Sequence, residues 1–301
     1  MKHITCTAVL IGIWLSSVAH SAEFESEFIS VKTRGTGPDV LLLHGFTCSS
    51  NVWMGVAEKL DSRFTLHLVQ IAGFAGSPAP HKAPESYLNT LRDEVLRYIQ
   101  VQELEKPILI GHSMGGLTSL RVAAKSPTSV GNVIVVDSLP FFSLIFDPSA
   151  TSEQVTPFAT AWEKATVAMN ETQFEEQSRQ GIAIQTKQQE GKDLLLKWSK
   201  ASDRKAYAQI FRELMAYDAR AELLKVTSPV TVIYVFDEAA KVPEDYVRQL
   251  YTSAYANLKG VRLHGVADSF HFIMWDQPES FTRRSTKRFP LHRNLSRRND
   301  A

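Results

Sequence analysis

The chain alternates short apolar runs with longer stretches in which apolar residues recur every three or four positions. Val40-Leu-Leu-Leu43, Phe64-Thr-Leu-His-Leu-Val69, Ile108-Leu-Ile110, Val133-Ile-Val-Val136, Val230-Thr-Val-Ile-Tyr-Val235 and Val261-Arg-Leu-His264 are too short for helices and mostly rich in branched residues. Each predicts a strand. Phe24 to Val31 alternates more loosely, as an edge strand does, and Arg34-Gly-Thr-Gly-Pro38 predicts the turn after it. Between these runs lie helical patterns at residues 51–60, Glu85 to Gln102, Leu117 to Lys125, Glu244 to Tyr255 and Pro278 to Arg288. In the second of them Tyr87, Leu91, Val95 and Tyr98 fall near one face. Strands separated by helices predict a doubly wound, mostly parallel α/β sheet.

The alternation stops between Leu139 and about Lys225. Connections within a compact domain are far shorter than this, so the segment needs structure of its own. Phe158, Ala161, Trp162, Ala165 and Met169 share one helical face, and Tyr207, Ile210, Phe211 and Leu214 share another. The pattern predicts a helical cap inserted over residues 140–225, crossing the C-terminal edge of a sheet built from residues 23–139 and 226–289. Phe141, Phe142, Trp162, Met169 and Met215 are the residues expected to make an apolar pocket beneath it.

The two ends of the chain read differently. Lys2 and His3 precede an apolar run around Val9–Leu15. Small residues follow, with Ala19-His20-Ser21 and Ser17-Val18-Ala19 as alternative cleavage sites. Residues 1–22 therefore predict a signal peptide, and a periplasmic or secreted location. The apolar run falls short of the ~18–20 residues a membrane span needs, so no stable membrane insertion is expected after cleavage. Residues 290–301 carry Arg293, Arg297 and Arg298 without apolar periodicity and predict a disordered tail.

Cys6 would leave with the signal peptide, so Cys48 is left without a partner for an internal disulfide. No cysteine and histidine spacing suits zinc, and no metal or organic cofactor is implied. A formal net charge of +1 over 301 residues argues against a dedicated nucleic-acid binder. With 44% hydrophobic and 22% charged residues, the composition is that of an ordinary globular chain with ample core.

Candidate chemistry concentrates where Ile108-Leu-Ile110 runs into Gly111-His-Ser-Met-Gly-Gly116. Strand, glycine-flanked serine and helix in that order predict a nucleophile elbow, with the Ser113 hydroxyl lifted above the sheet edge. Side chains at Gly111 and Gly115 would collide with the neighbouring helix and strand. The first helical N–H groups after Ser113 point at a space where an anionic intermediate could be held. The competing reading makes Ser113 a plain helix cap.

With His44-Gly45-Phe46, Gly73-Phe-Ala-Gly-Ser77 and His271-Phe-Ile-Met-Trp-Asp-Gln-Pro278, the elbow resembles the alpha/beta-hydrolase superfamily, in its single-domain members with a helical cap. The resemblance runs from about Phe28 to Phe289. It implies Ser113 as nucleophile and His271 as its base. The backbone N–H groups of Met114 and Phe46 would form the oxyanion hole. The chain departs from the family at the acid, because Ala239 stands at the usual position in the loop after the next-to-last strand. Asp237 and Glu238 lie slightly early there. Asp137, at the end of the strand after the elbow helix, needs no shift of register and is the favoured acid. A smaller departure is Gln70, where the family often has an aspartate. The expected activity is that of an exported, carboxylesterase-like serine hydrolase acting on a small, fairly apolar acyl substrate. An acyltransferase or perhydrolase-like enzyme, and a non-catalytic ligand-binding protein on the same fold, are the alternatives.

Overall fold

The computed structural model describes residues 24–286. The predicted signal peptide and tail lie outside the described residues, as does the end of the last predicted helix. Seven strands form one sheet: β1 (Ile29–Gly35), β2 (Asp39–Leu43), β3 (Thr65–Ile71), β4 (Ile108–His112), β5 (Asn132–Val136), β6 (Val230–Val235) and β7 (Arg262–Val266). Their spatial order is β1-β3-β2-β4-β5-β6-β7, parallel throughout except for β1, which runs antiparallel along the outer edge of β3. The helices of the sheet body are α1 (Met54–Leu60), α2 (Tyr87–Val101) and α3 (Met114–Lys125), then α8 (Glu244–Ala254), α9 (Ile273–Asp276) and α10 (Pro278–Thr286). Between β5 and β6 the chain inserts α4 (Ser152–Ala168), α5 (Glu171–Ile182), α6 (Gln189–Lys200) and α7 (Arg204–Ala216).

Strand alternation divides the core between the two faces of the sheet. Leu41 and Leu43 of β2 pack with Leu91 and Val95 of α2 and Leu117 and Leu120 of α3. Val40 and Leu42 point the other way, towards Trp53, Val56 and Leu60 at α1 and Phe281 of α10. Burying a side chain of this kind contributes about 1.5–3 kcal/mol, so the paired layers dominate the stability of the sheet.

The first strand starts later than its sequence pattern predicts. Phe24 is drawn aside by the edge of the Tyr98 ring, at 4.9 Å between centroids, and by the Arg97 guanidinium over its face at 4.2 Å. The Ser26 hydroxyl accepts from the Phe28 and Ile29 amides, and β1 begins there. Its register then runs from Ile29 opposite Ile71 to Gly35 opposite Thr65, so Arg34 belongs to the strand and not to the turn.

The insertion is helical as predicted, but α4 is rotated from its expected face. Ala159 and Thr166 are buried, whereas Phe158 is 76% exposed and Ala161 and Ala165 are also exposed. Trp162 sets this rotation by packing on Phe211 of α7 at 4.2 Å and stacking on Tyr207 at 5.9 Å. The helix α7 is bonded into the sheet body. Ile210 and Leu214 join the core, and the Glu213 carboxylate accepts from the Tyr87 and Leu88 amides at 3.0 and 2.9 Å. Those amides open α2 and have no partner within it, so Glu213 satisfies them from a distant helix.

Candidate active site

Neighbouring strands bring the candidate residues together. His112 stands opposite Val136 across the β4–β5 ladder, so the next residues, Ser113 and Asp137, leave the sheet side by side. The Ser113 amide donates to the Val136 carbonyl at 2.9 Å and the Asp137 amide to the Ile233 carbonyl at 2.7 Å. Both residues take positive φ, +53° at Ser113 and +45° at Asp137. Side chains other than glycine rarely accept this conformation, and it clusters at functional sites. Close packing holds the turn: a Cβ on Gly111 would collide with the Gly115 carbonyl, and one on Gly115 with the Leu43 carbonyl. Although Ser113 occupies the cap position of α3, its hydroxyl makes no capping hydrogen bond.

His271 lies in the loop between β7 and α9. Its Nδ1 is 2.6 Å from Asp137 Oδ2. The other carboxylate oxygen accepts from the Tyr251 hydroxyl at 2.9 Å and the Val235 amide at 3.2 Å. Asp237 faces a different partner. It forms an ion pair with Lys187 and accepts from the Ala239 amide at 2.8 Å, and the Lys187 ammonium holds its carboxyl below the usual range. The structure thus brings Asp137 to His271 and commits Asp237 to the inserted helices. Glu238 opens a short turn beside it, Glu238–Ala240.

Two further histidines support the site, and neither role was visible in the sequence. His112 is fully buried, and its Nε2–H donates to the His271 carbonyl at 3.0 Å. Burial lowers its pKa well below the ordinary value, and the neighbouring His271 adds to the effect. His44 donates from Nδ1 to the Gly45 carbonyl at 2.8 Å and accepts the Ile71 amide on Nε2 at 3.1 Å. Burial drops it to about 4. Both rings are neutral near pH 7, and His44 fixes the turn that carries Phe46. Gln70, in place of an acid, accepts the Ser50 amide at 2.8 Å and donates to the Ile71 carbonyl at 3.0 Å.

A cavity of about 220 Å³ opens over this group, with Ser113, Asp137, His271, Phe46 and Met114 in its wall. Met114 is the first residue of α3, where an amide lacks an intrahelical acceptor, and Phe46 follows the β2 turn. Of the five residues expected to line an apolar pocket, only Phe142 does so. Phe141 is buried in the core under the Arg220 guanidinium, and Trp162 packs behind Tyr207 and Phe211, which take its place in the lining. Met169 and Met215 are not in the lining either: Met169 follows the end of α4, where its carbonyl accepts from Arg204, and Met215 in the last turn of α7 has its carbonyl and its sulfur engaged by the Ser143 hydroxyl. Among the described residues no cluster of His, Cys, Asp and Glu is arranged to hold a metal ion.

The chain belongs to the alpha/beta hydrolase fold family, whose model matches residues 38–278. Within that family it is 37% identical over 114 residues to the pimeloyl-[acyl-carrier protein] methyl ester esterase of Aeromonas hydrophila subsp. hydrophila. The match covers 38% of this chain and 43% of that relative, so the chain matches less than half the length of its curated relatives. The enzyme of the same name from Nitrosomonas europaea is 34% identical over 114 residues, covering 38% of this chain and 42% of its own. Among solved structures, the enol-lactonase from Burkholderia xenovorans LB400 superimposes with a TM-score of 0.69 at 18% identity, covering 86% of this chain and 95% of that one. The esterase from Exiguobacterium antarcticum gives 0.68 at 20% identity, covering 85% and 92%. These last two likenesses concern the fold.

Proposed function

We propose that this chain is an exported, carboxylesterase-like serine hydrolase that cleaves small, uncharged acyl esters through an acyl-enzyme on Ser113. The observation that carries the reading is that the strained Ser113 and the hydrogen-bonded His271–Asp137 pair line the same cavity. A serine hydroxyl needs a base to take its proton as it attacks. With Nδ1–H given to Asp137, Nε2 is the His271 nitrogen left to accept that proton. Asp137 holds the tautomer and stabilises the imidazolium. The Phe46 and Met114 amides receive the oxyanion, and His271 returns its proton to the departing alcohol. Water then attacks the acyl-enzyme with His271 again as base. The esterases among its relatives favour this chemistry over the acyl-transfer alternative. Export rests on the charged start, apolar run and small-residue site within residues 1–22.

The test is labelling by a serine-directed fluorophosphonate together with hydrolysis of p-nitrophenyl butyrate. Wild type reacts with both, and Ser113→Ala with neither. Failure of wild type to react with either would leave a ligand-binding protein. Transfer to added alcohol in preference to water would make it an acyltransferase. Mass spectrometry of envelope protein from the native host checks export, with a mature start expected between His20 and Glu23.

A further inference from the structure

Two of the residues lining the cavity are themselves exposed, Ile145 and Gly181, so its mouth lies where they reach the surface. Ile145 ends the short helical turn Phe142–Ile145, and Gly181 stands in the last turn of α5. Both edges are braced. The Ser143 hydroxyl donates to the Met215 carbonyl at 2.6 Å, which ties the first to α7. The Gly181 carbonyl accepts from Gln185 Nε2 at 3.2 Å, and the Gln185 carbonyl accepts the Phe272 amide at 3.0 Å, which ties the second to the histidine loop.

Neither backbone conformation nor packing requires a glycine at 181. Its φ lies outside the left-handed region, and a Cβ built there would meet no neighbouring part of the protein within 4 Å. Glycine weakens a helix interior relative to alanine, so α5 carries a cost at this residue. What the missing side chain leaves is open space at the edge of the cavity. From the other edge, apolar surface continues outward. The Phe142 ring lies in the lining beside Phe211, at 6.1 Å between centroids, and meets Phe146 edge-on at 5.6 Å. Phe146 is 67% exposed and Ile145 49%, so an apolar track leads from the cavity wall to solvent.

Resting on the serine-hydrolase reading above, we propose that Gly181 and the Ile145–Phe146 edge set specificity for the alcohol side of the substrate. The gap at Gly181 leaves room for an apolar alkyl chain, which passes out along Phe142, Ile145 and Phe146. The cavity, at about 220 Å³, is smaller than the ~300–1,000 Å³ of pockets that enclose a drug-sized ligand, so it holds a short acyl group at Ser113 while the rest of a longer ester projects. The alcohol is the part assigned to the mouth because it must leave at every turnover and needs the open side. The substrate class is therefore an ester of a short acid with a longer, apolar alcohol.

The experiment measures kcat/KM by pH-stat for ethyl acetate and for two isomers, hexyl acetate and ethyl hexanoate, in wild type, Gly181→Ala, Gly181→Trp and Phe146→Ser. Wild type is expected to favour hexyl acetate over ethyl acetate about tenfold, and Gly181→Trp to lose that ratio. Gly181→Ala relieves the helix without filling the gap, so it should keep the ratio and raise Tm. Equal loss in the alanine and tryptophan variants would place the effect in the helix and overturn the proposal. Phe146→Ser changes an exposed ring and should lower the ratio about threefold, which tests the track even if Gly181→Trp fails to fold. An unchanged ratio in either folded variant would overturn the proposal. So would a loss confined to ethyl hexanoate, which would put the acyl chain in the mouth. Binding separates this inference from the catalytic reading. In Ser113→Ala protein hexyl acetate should bind about tenfold tighter than ethyl acetate by NMR titration, and the added Gly181→Trp change should abolish the difference. That holds whether or not wild type hydrolyses either ester, and equal binding in Ser113→Ala alone would also overturn the proposal.

Discussion

The Tyr251 hydroxyl donates to Asp137 Oδ1 at 2.9 Å, on the carboxylate oxygen that does not face His271. The Val235 amide shares that oxygen at 3.2 Å, so β6, α8 and the histidine loop each fix the carboxylate from a different side. The Tyr251 ring is itself held, stacked on Tyr234 at 4.7 Å and almost fully buried. Burial, with the Asp137 charge adding to it, pushes its phenol well above the usual value. Tyr251 therefore stays a donor across the working pH range.

This arrangement ranks the carboxylates. If Asp137 orients His271, Asp137→Asn lowers kcat by up to ~10⁴, the loss known for a serine protease triad acid. Tyr251→Phe leaves the charge but removes one of its donors, and is expected to lower kcat on the order of tenfold with KM little changed. Asp237→Asn and Glu238→Gln should each stay within about tenfold of wild type, because Asp237 is engaged by Lys187. Turnover of an activated ester by the four purified variants, each checked by circular dichroism, decides the order. Collapse of Asp237→Asn with Asp137→Asn near wild type would reverse the assignment.

What could be read in advance depended on whether the signal was local. Ile108-Leu-Ile110 followed by a glycine-flanked serine is a contiguous pattern, and so are the apolar runs of the other central strands. Asp137 could be placed because strand ends in a parallel sheet open on one edge. Tyr251 could not, since the residue it serves lies 114 positions away and its own helix shows only ordinary apolar spacing. His112 stands between the glycine and the serine of the elbow. Its ring is buried, but nothing nearby announced the His271 carbonyl, 159 positions away, as its acceptor. The α4 face was misplaced because Trp162 belongs to both candidate stripes, and only contact with Phe211 and Tyr207 chooses between them.

The neutral histidines predict an acid-sensitive fold. His44 titrates at about 4 in the folded chain and near 6.5 when unfolded, and His112 is displaced in the same direction. Between those values the unfolded state binds protons that the folded state refuses, so stability is full above pH 6.5 and falls as pH drops towards 4. Each such histidine contributes a slope of about 1.4 kcal/mol per pH unit. Urea denaturation from pH 7.5 to 4.5 measures it. His112→Gln keeps a donor for the His271 carbonyl without the titration, and its slope should be shallower by about that amount. Parallel curves for wild type and variant would show that His112 takes up its proton without cost.

The last prediction concerns what holds His271 itself. Asp276 Oδ2 accepts the Phe270 amide at 2.9 Å, one residue before the histidine. Its Oδ1 accepts the Thr186 hydroxyl at 2.6 Å and the Lys187 amide at 3.0 Å. The Phe272 amide, one residue after the histidine, donates to the Gln185 carbonyl at 3.0 Å. The histidine loop is thus bonded on both sides to the connection between α5 and α6, which also holds Asp237 through Lys187. Misplacing a catalytic base by about 1 Å can cost about a hundredfold, so Asp276 is expected to act as a positioning residue. Asp276→Ala strands two part-buried donors and one exposed donor. It should lower stability by about 2–4 kcal/mol and kcat by about a hundredfold, and slow fluorophosphonate labelling in parallel. Thr186→Val removes one donor at nearly constant volume and should cost less than about fivefold. A stability loss in Asp276→Ala with kcat and labelling both unchanged would leave Asp276 a structural residue with no hold on His271.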